Sequence, residues 1–223
     1  MAFAGWPPAA LGFLRELEAD NDRDWFKAER PRYEADLAAP ARALGEQLSR
    51  FGTPKLFRPF NDQRFGAKPP IKEHLGLALG DDAYRAGGGY VELSLDGLLV
   101  AAGLYAPAPD QVARLRQAVA DGRQAAQLTR ALRAATSAGL ERNAPDLQRV
   151  PRGYDADHPR AELLRCRRLI VSVRWPLEPW LHTPECGARI ATALDAAQPL
   201  VIWLRTHVGP STRPGRFGQD AAP

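Results

Sequence analysis

The chain is poor in cysteine and lysine and has no long apolar run. Only Cys166 and Cys186 occur among 223 residues, too few for a disulfide framework and not spaced as a CxxC metal pair. Two free thiols in a reducing compartment follow, and with them an expected cytoplasmic location. No apolar segment approaches the roughly 20 residues of a membrane-spanning helix, and Met1–Leu11 has neither the basic region nor the apolar run of a secretory signal. No membrane partner is expected. Gly87-Gly88-Gly89 lacks the GK[ST] ending of a phosphate loop, and no HExxH, nucleophile elbow or kinase signature is present. No metal ligands are assigned, and the nature of any cofactor stays open.

The shortage of lysine is informative in another way. Of 30 basic residues only Lys27, Lys55, Lys68 and Lys72 are lysine; the rest are arginine, in a chain rich in Ala, Gly and Pro. That pattern is a coding bias, so the net charge of +4 and pI near 9.3 permit an anionic partner without requiring one. Apolar residues at 45% and charged residues at 25% are ordinary globular values and exclude general disorder.

Two of the four lysines fall in the stretch Leu56–His74, which holds Arg58, Asp62, Arg64, Lys68, Lys72 and His74 among aromatics and prolines. On an extended backbone either side of a Gly66–Pro70 turn, Arg58, Asp62 and Arg64 share parity, as do Lys68, Lys72 and His74, so each set can project to one side. Arginine forks and mobile lysines together suit phosphate or carboxylate oxygens. Asp62 and His74 are the candidate acid–base groups. The competing structural reading is a surface hairpin braced by Arg–Asp pairs.

The surrounding pattern places that stretch. Leu11, Leu14 and Leu17 predict a first helix, and Asp20-Asn21-Asp22 a cap for a second beginning Arg23-Asp24-Trp25-Phe26. Pro31 and Pro40 predict new helical segments, and Gly52-Thr53-Pro54 the end of the helical region. Leu75, Leu77 and Leu79 alternate as a half-buried strand. Val91, Leu93 and Leu95 alternate before an Asp96-Gly97 turn, and Leu98–Tyr105 returns as the second strand of a hairpin. Helices follow around Val112, Leu115 and Val119, and around Leu128 and Leu132. Gly139–Arg152 reads as irregular, Leu169–Trp175 as a strand and Ile190–Leu204 as a helix.

Helices, then strands, then helices predict one α+β domain over residues 1–208, an antiparallel sheet with helices mainly on one face, and a disordered tail over 209–223. If Leu75, Val91, Leu93 and Leu95 face the helices, then His74, Tyr90, Glu92, Ser94 and Tyr105 line the other face. Tyr90, Glu92 and Tyr105 thereby join Arg58, Arg64, Lys68 and Lys72 as candidate ligand contacts. Asp155, Asp157 and His158 form a second candidate patch, for which local capping is the favoured reading.

Asn21-Asp22-Arg23-Asp24-Trp25-Phe26, the Arg58–His74 segment, the glycine-rich approach to Tyr90, Gly103-Leu104-Tyr105 and Gly153-Tyr154-Asp155-Ala156-Asp157-His158-Pro159 together resemble the uncharacterised DUF2461 family of bacterial and fungal proteins. The resemblance spans roughly Leu11 to Val208. Its hallmark, R-x-x-R-D-x-R-F followed by an acid or Asn, a Lys and, three residues on, a Tyr, is matched by Arg58, Asp62, Arg64, Phe65 and Lys68. Asn61 stands where the family has its second Arg, the acid is missing, and Ile71 stands where the family has Tyr. The resemblance implies a site here and supplies no reaction. Three function classes are therefore carried forward: an enzyme or binding protein for a small anionic ligand, then a structural or interaction protein, then a disfavoured nucleic-acid-binding module.

Overall fold

The leucine period at the start of the chain forms a helix where its spacing places one. The computed structural model describes residues 2–62, 68–80 and 87–212. Helix α1 (Pro8–Ala19) buries Leu11, Phe13, Leu14 and Leu17. Asp22 then caps α2 (Arg23–Ala28), its carboxylate accepting the backbone N–H of Asp24 at 2.7 Å and of Trp25 at 3.1 Å. Those bonds, that from Trp25 first, hold the Asp22 carboxyl below its ordinary range. Phe26 is buried, and half-buried Trp25 lies against Phe13 with ring centroids 5.4 Å apart.

Pro31 and Pro40 sit in the first turns of α3 (Arg30–Arg32) and α4 (Ala39–Gln47), as expected. The helix does not break between them, because a π-helical turn, Tyr33–Ala38, joins the two. Pro40 has no N–H to offer a carbonyl one turn back. The wider spacing, in which Ala39 N–H reaches Glu34 C=O, carries the helix past it.

Six strands follow: β1 (Pro54–Leu56), β2 (His74–Leu79), β3 (Gly88–Ser94), β4 (Gly97–Leu104), β5 (Glu141–Arg142) and β6 (Leu169–Trp175). Their order is β1-β2-β3-β4-β6-β5, in an open antiparallel sheet. Pro54 pairs with Leu79 at one edge and Glu141 with Ser172 at the other. With α5 (Pro109–Ala120), α6 (Gly122–Ser137), α7 (Ala161–Leu164) and α8 (Glu185–His207), this is the expected α+β class.

Three local expectations need correction. The hairpin turns at Leu95-Asp96, one residue early, and Gly97 opens β4 at φ +122°. A Cβ at Gly97 would lie 2.2 Å from the Trp175 carbonyl oxygen, so only glycine fits, and Leu95 belongs to the turn. Strand β3 begins at Gly88, ahead of the alternation read from Val91, and β5 interrupts the stretch read as irregular.

The chain divides into two compact units. The first comprises Met1–Leu79, Tyr90–Val100 and Arg174–Thr192. In it α4 covers one side of β1 and β2: a Cβ at Gly45 would meet Pro54 Cβ at 2.8 Å and Leu77 Cδ1 at 3.4 Å. His74 and Gly76 therefore face the other way. All of β2 beyond His74 is buried. It was expected to be half-buried, but the Tyr90 and Phe57 rings cover Gly76.

The second unit comprises Gly80–Gly89, Ala101–Val173 and Ala193–Pro223. Here Leu115, Val119 and Leu128 are buried, and Trp203 Nε1–H donates to Gln124 C=O at 2.9 Å. The chain expected to loosen at Gly209 is bonded as far as Thr212. Arg114 donates to the Val208 and Pro210 carbonyls, Gln111 to that of Gly209, and Ser211 and Thr212 to the Asp110 carboxylate. The rest of the expected tail lies outside the described residues.

Candidate functional site

The first unit holds its polar stretch with neutral side chains. Phe60 and Ile71 form an isolated antiparallel bridge, flanked by bonds from Asn61 N–H to Pro70 C=O (3.0 Å) and from Lys72 N–H to Pro59 C=O (2.7 Å). Asn61 Nδ2 adds bonds to the Pro69 and Ile71 carbonyls at 2.9 and 3.3 Å. Asn21, from the cap before α2, accepts the Ile71 N–H at 3.0 Å and donates to Ile71 C=O and Glu73, both at 3.0 Å. Ile71 is fully buried. The two positions where the chain departs from the family motif thus have structural work in this protein. Asn61 bonds the backbone, and Ile71 fills the core.

Of the charged members of the stretch, Arg58 and Lys68 are exposed and Asp62 is half-buried. Arg64 lies outside the described residues. Lys72 is half-buried, donating Nζ–H to Arg58 C=O at 2.6 Å and lying 5.7 Å from the Phe57 ring centroid. Burial, and secondarily the Arg58 charge, pushes its amine below the ordinary lysine value. The Phe57 ring in turn stands 6.1 Å from that of Tyr90, so Lys72 adjoins the polar face of the sheet through an aromatic contact.

On that face Glu92 is the hub. Its Oε2 accepts the Tyr90 hydroxyl at 2.8 Å and lies 3.8 Å from His74 Nε2, while Oε1 accepts Arg174 Nη2–H at 3.3 Å. Arg174 also reaches Ser94 Oγ at 3.4 Å. The Glu92 side chain is 17% exposed and that of His74 37%, so the imidazole is the open end of the group. Gly76 makes the arrangement possible, since a Cβ there would lie 2.7 Å from Tyr90 Oη and 3.0 Å from Phe57 Cδ2. A carboxylate held between a phenol, an imidazole and a guanidinium can take or return a proton through His74 or Tyr90 while Arg174 balances its charge.

Period-2 parity therefore brought His74, Tyr90, Glu92 and Ser94 together correctly. It missed Arg174, which has the right parity on β6, because pairing order across a sheet is not written in a strand's own sequence. It also missed Asn21, a cap-region residue whose partners lie about 50 positions away. Tyr105 follows β4 in the second unit and is 63% exposed. Asp155, Asp157 and His158, also in the second unit, are engaged in local turns. Asp155 Oδ1 accepts Asp157 N–H at 3.0 Å, and His158 Nδ1 accepts Arg160 N–H at 3.0 Å just before α7. Among the described residues no group of three or more His, Cys, Asp or Glu is placed to hold a metal, and no helix is long and apolar enough to cross a membrane.

A family model described as a conserved hypothetical protein (DUF2461) matches residues 9–203. No curated protein and no solved structure matches the chain. The chain belongs to the DUF2461 family.

Proposed function

For this DUF2461 protein we propose binding, with acid–base processing, of a small phosphate- or carboxylate-bearing ligand on the open face of β2 and β3. The observation that carries this reading is the Glu92 hub with His74 at its solvent end and half-buried Lys72 alongside. Lys72 and Arg58 supply charge for the anion, joined by Arg64 and Lys68 from the same stretch. His74 exchanges the proton, Glu92 orients it, and Tyr90 is a second donor. Asp62 is the remaining acid–base candidate in the stretch.

Thermal shift over a panel of phosphorylated and carboxylated metabolites tests this on wild type, His74→Ala and Lys72→Met. A ligand at a hundred times its Kd adds about 2.7 kcal/mol, roughly 5–10 °C for a chain of this size. Wild type should show such a shift with at least one compound, and both variants should lose most of it. A panel that never separates wild type from the variants overturns the proposal.

One observation favours a second reading. Glu92 already accepts two hydrogen bonds, from Tyr90 and Arg174, as expected of a brace between strands. On that reading Glu92→Gln lowers stability modestly, by less than about 1 kcal/mol for a partly exposed pair, and no ligand distinguishes it from wild type.

A further inference from the structure

Between Ala101 and Val173 twelve arginines stand against seven carboxylates, and the second unit shows which arginines are balanced. Arg142 pairs with Glu162 at 2.5 Å, Arg168 with Asp146 at 3.1 Å and Arg114 with Asp110 at 3.0 Å. Arg160 turns to the end of α5, donating to the Val119 and Ala120 carbonyls at 2.6 and 2.8 Å. The carboxylates flanking Cys166 are thus already engaged.

Three neighbouring arginines have no such partner among the described residues. Arg116 projects from α5, half-buried, and its Nε–H meets the Leu164 carbonyl at the end of α7 at 3.3 Å. Arg165, the next residue along, makes one long bond, Nη1 to Gln148 C=O at 3.4 Å, while its Nε is buried without a partner. Arg167 is exposed. Asp146 accepts its backbone N–H at 2.7 Å and spends its other oxygen on Arg168. Burial, and after a smaller opposing influence from Tyr154 the charge of Arg167, pushes Arg116 below the ordinary arginine value. A partly buried guanidinium beside a second cation is an arrangement that a bound anion relieves.

We propose that Arg116, Arg165 and Arg167 form a phosphate-binding site in the second unit, separate from the Glu92 face. Three guanidinium forks offer more donors than one carboxylate can accept, and they match the several oxygens of a phosphate group. Arg165 would exchange its long bond to Gln148 for a shorter, charge-assisted one. The phosphate belongs either to a free phosphorylated compound or to a nucleic-acid backbone.

Isothermal titration with inorganic pyrophosphate at fixed ionic strength tests the site, using the full chain carrying Arg58→Gln and Lys72→Met so that the Glu92 face does not contribute. One-site binding should persist in that background. Adding Arg167→Gln, an exposed change that circular dichroism can confirm as folded, should weaken it about tenfold, the worth of one charged hydrogen-bonding partner. Arg167→Lys should recover part of the loss. No binding at millimolar pyrophosphate, or an Arg167→Gln affinity within twofold of its parent, overturns the site. A mixed 12-nucleotide strand supplies the second arm. Displacement of that strand by pyrophosphate assigns the phosphate to nucleic acid, and pyrophosphate binding without strand binding assigns it to a free compound.

Discussion

Within the first unit, two polar regions a few residues apart are held by opposite chemistry. Residues 57–61 and 69–73 are fixed by carboxamides bonded to backbone: Asn21 and Asn61 between them make five bonds to the main chain or to Glu73. The adjoining sheet face is held by charge, with Glu92 set among Tyr90, His74 and Arg174. Carboxamides satisfy buried backbone groups without carrying charge out of water, so they stabilise through well-defined bonds. A partly exposed cluster of charges gains little net stability, since solvation offsets most of its attraction. The difference separates a region held in shape by defined bonds from the region on which the proposed acid–base chemistry rests.

The comparison breaks most readily at Asn21. Asn21→Ala strips the N–H of buried Ile71 of its partner, leaves the Ile71 C=O with only the longer bond from Asn61 Nδ2, and releases Glu73. The expected loss is about 2–3 kcal/mol, read as a lower urea midpoint at an unchanged slope. A loss below about 0.5 kcal/mol would mean that the segment is held by packing alone, and the distinction between the two regions would fail.

Gly76→Ala probes the other region at its steric base. The added methyl meets Tyr90 Oη at 2.7 Å and Phe57 Cδ2 at 3.0 Å, so one ring must move. Overpacking of this kind costs about 1–2 kcal/mol, less than the loss at Asn21. The larger consequence should be functional, because displacing Tyr90 removes a donor from Glu92. A variant that loses stability but keeps the full ligand-induced thermal shift would show that the Tyr90–Glu92 bond only braces the sheet.

How much of this was legible follows from the range over which each signal acts. Helix α1 and the Asp22 cap are local, and the spacing of Leu11, Leu14 and Leu17 with one acidic residue specifies them. The polar face of β2 and β3 was also readable, because period 2 alone puts His74, Tyr90 and Glu92 on one side. What escaped was non-local. Arg174 joins Glu92 through strand order, and Asn21 joins Ile71 across about 50 residues of chain. The hairpin moved by one residue because the close approach of the Trp175 carbonyl, invisible from the turn itself, requires glycine at position 97. Asn61 and Ile71 looked like lost chemistry against the family motif. Their bonds and burial show that a substituted position can take on structural work.

The finest test of the contrast is the titration of Lys72, the residue that joins the two regions. Its Nζ–H meets a carbonyl of the backbone-bonded segment, yet burial and then Arg58 push its amine below the ordinary value. Below its folded pKa the lysine is protonated in both folded and unfolded chains, and the full cost of holding that charge is present. Between the folded pKa and the unfolded value near 10.5, the unfolded chain binds more protons. Stability attributable to Lys72 must therefore rise with pH across that window, as the cost is relieved. Urea unfolding of wild type and Lys72→Met from pH 7 to pH 10 should show wild type gaining on the variant as pH increases. A flat or falling difference would place Lys72 in an ordinary surface setting. The same titration with a bound anion sharpens the point, because a negative charge beside Lys72 opposes both burial and Arg58. The slope should then flatten in the presence of the anion, and only if the anion lies against Lys72.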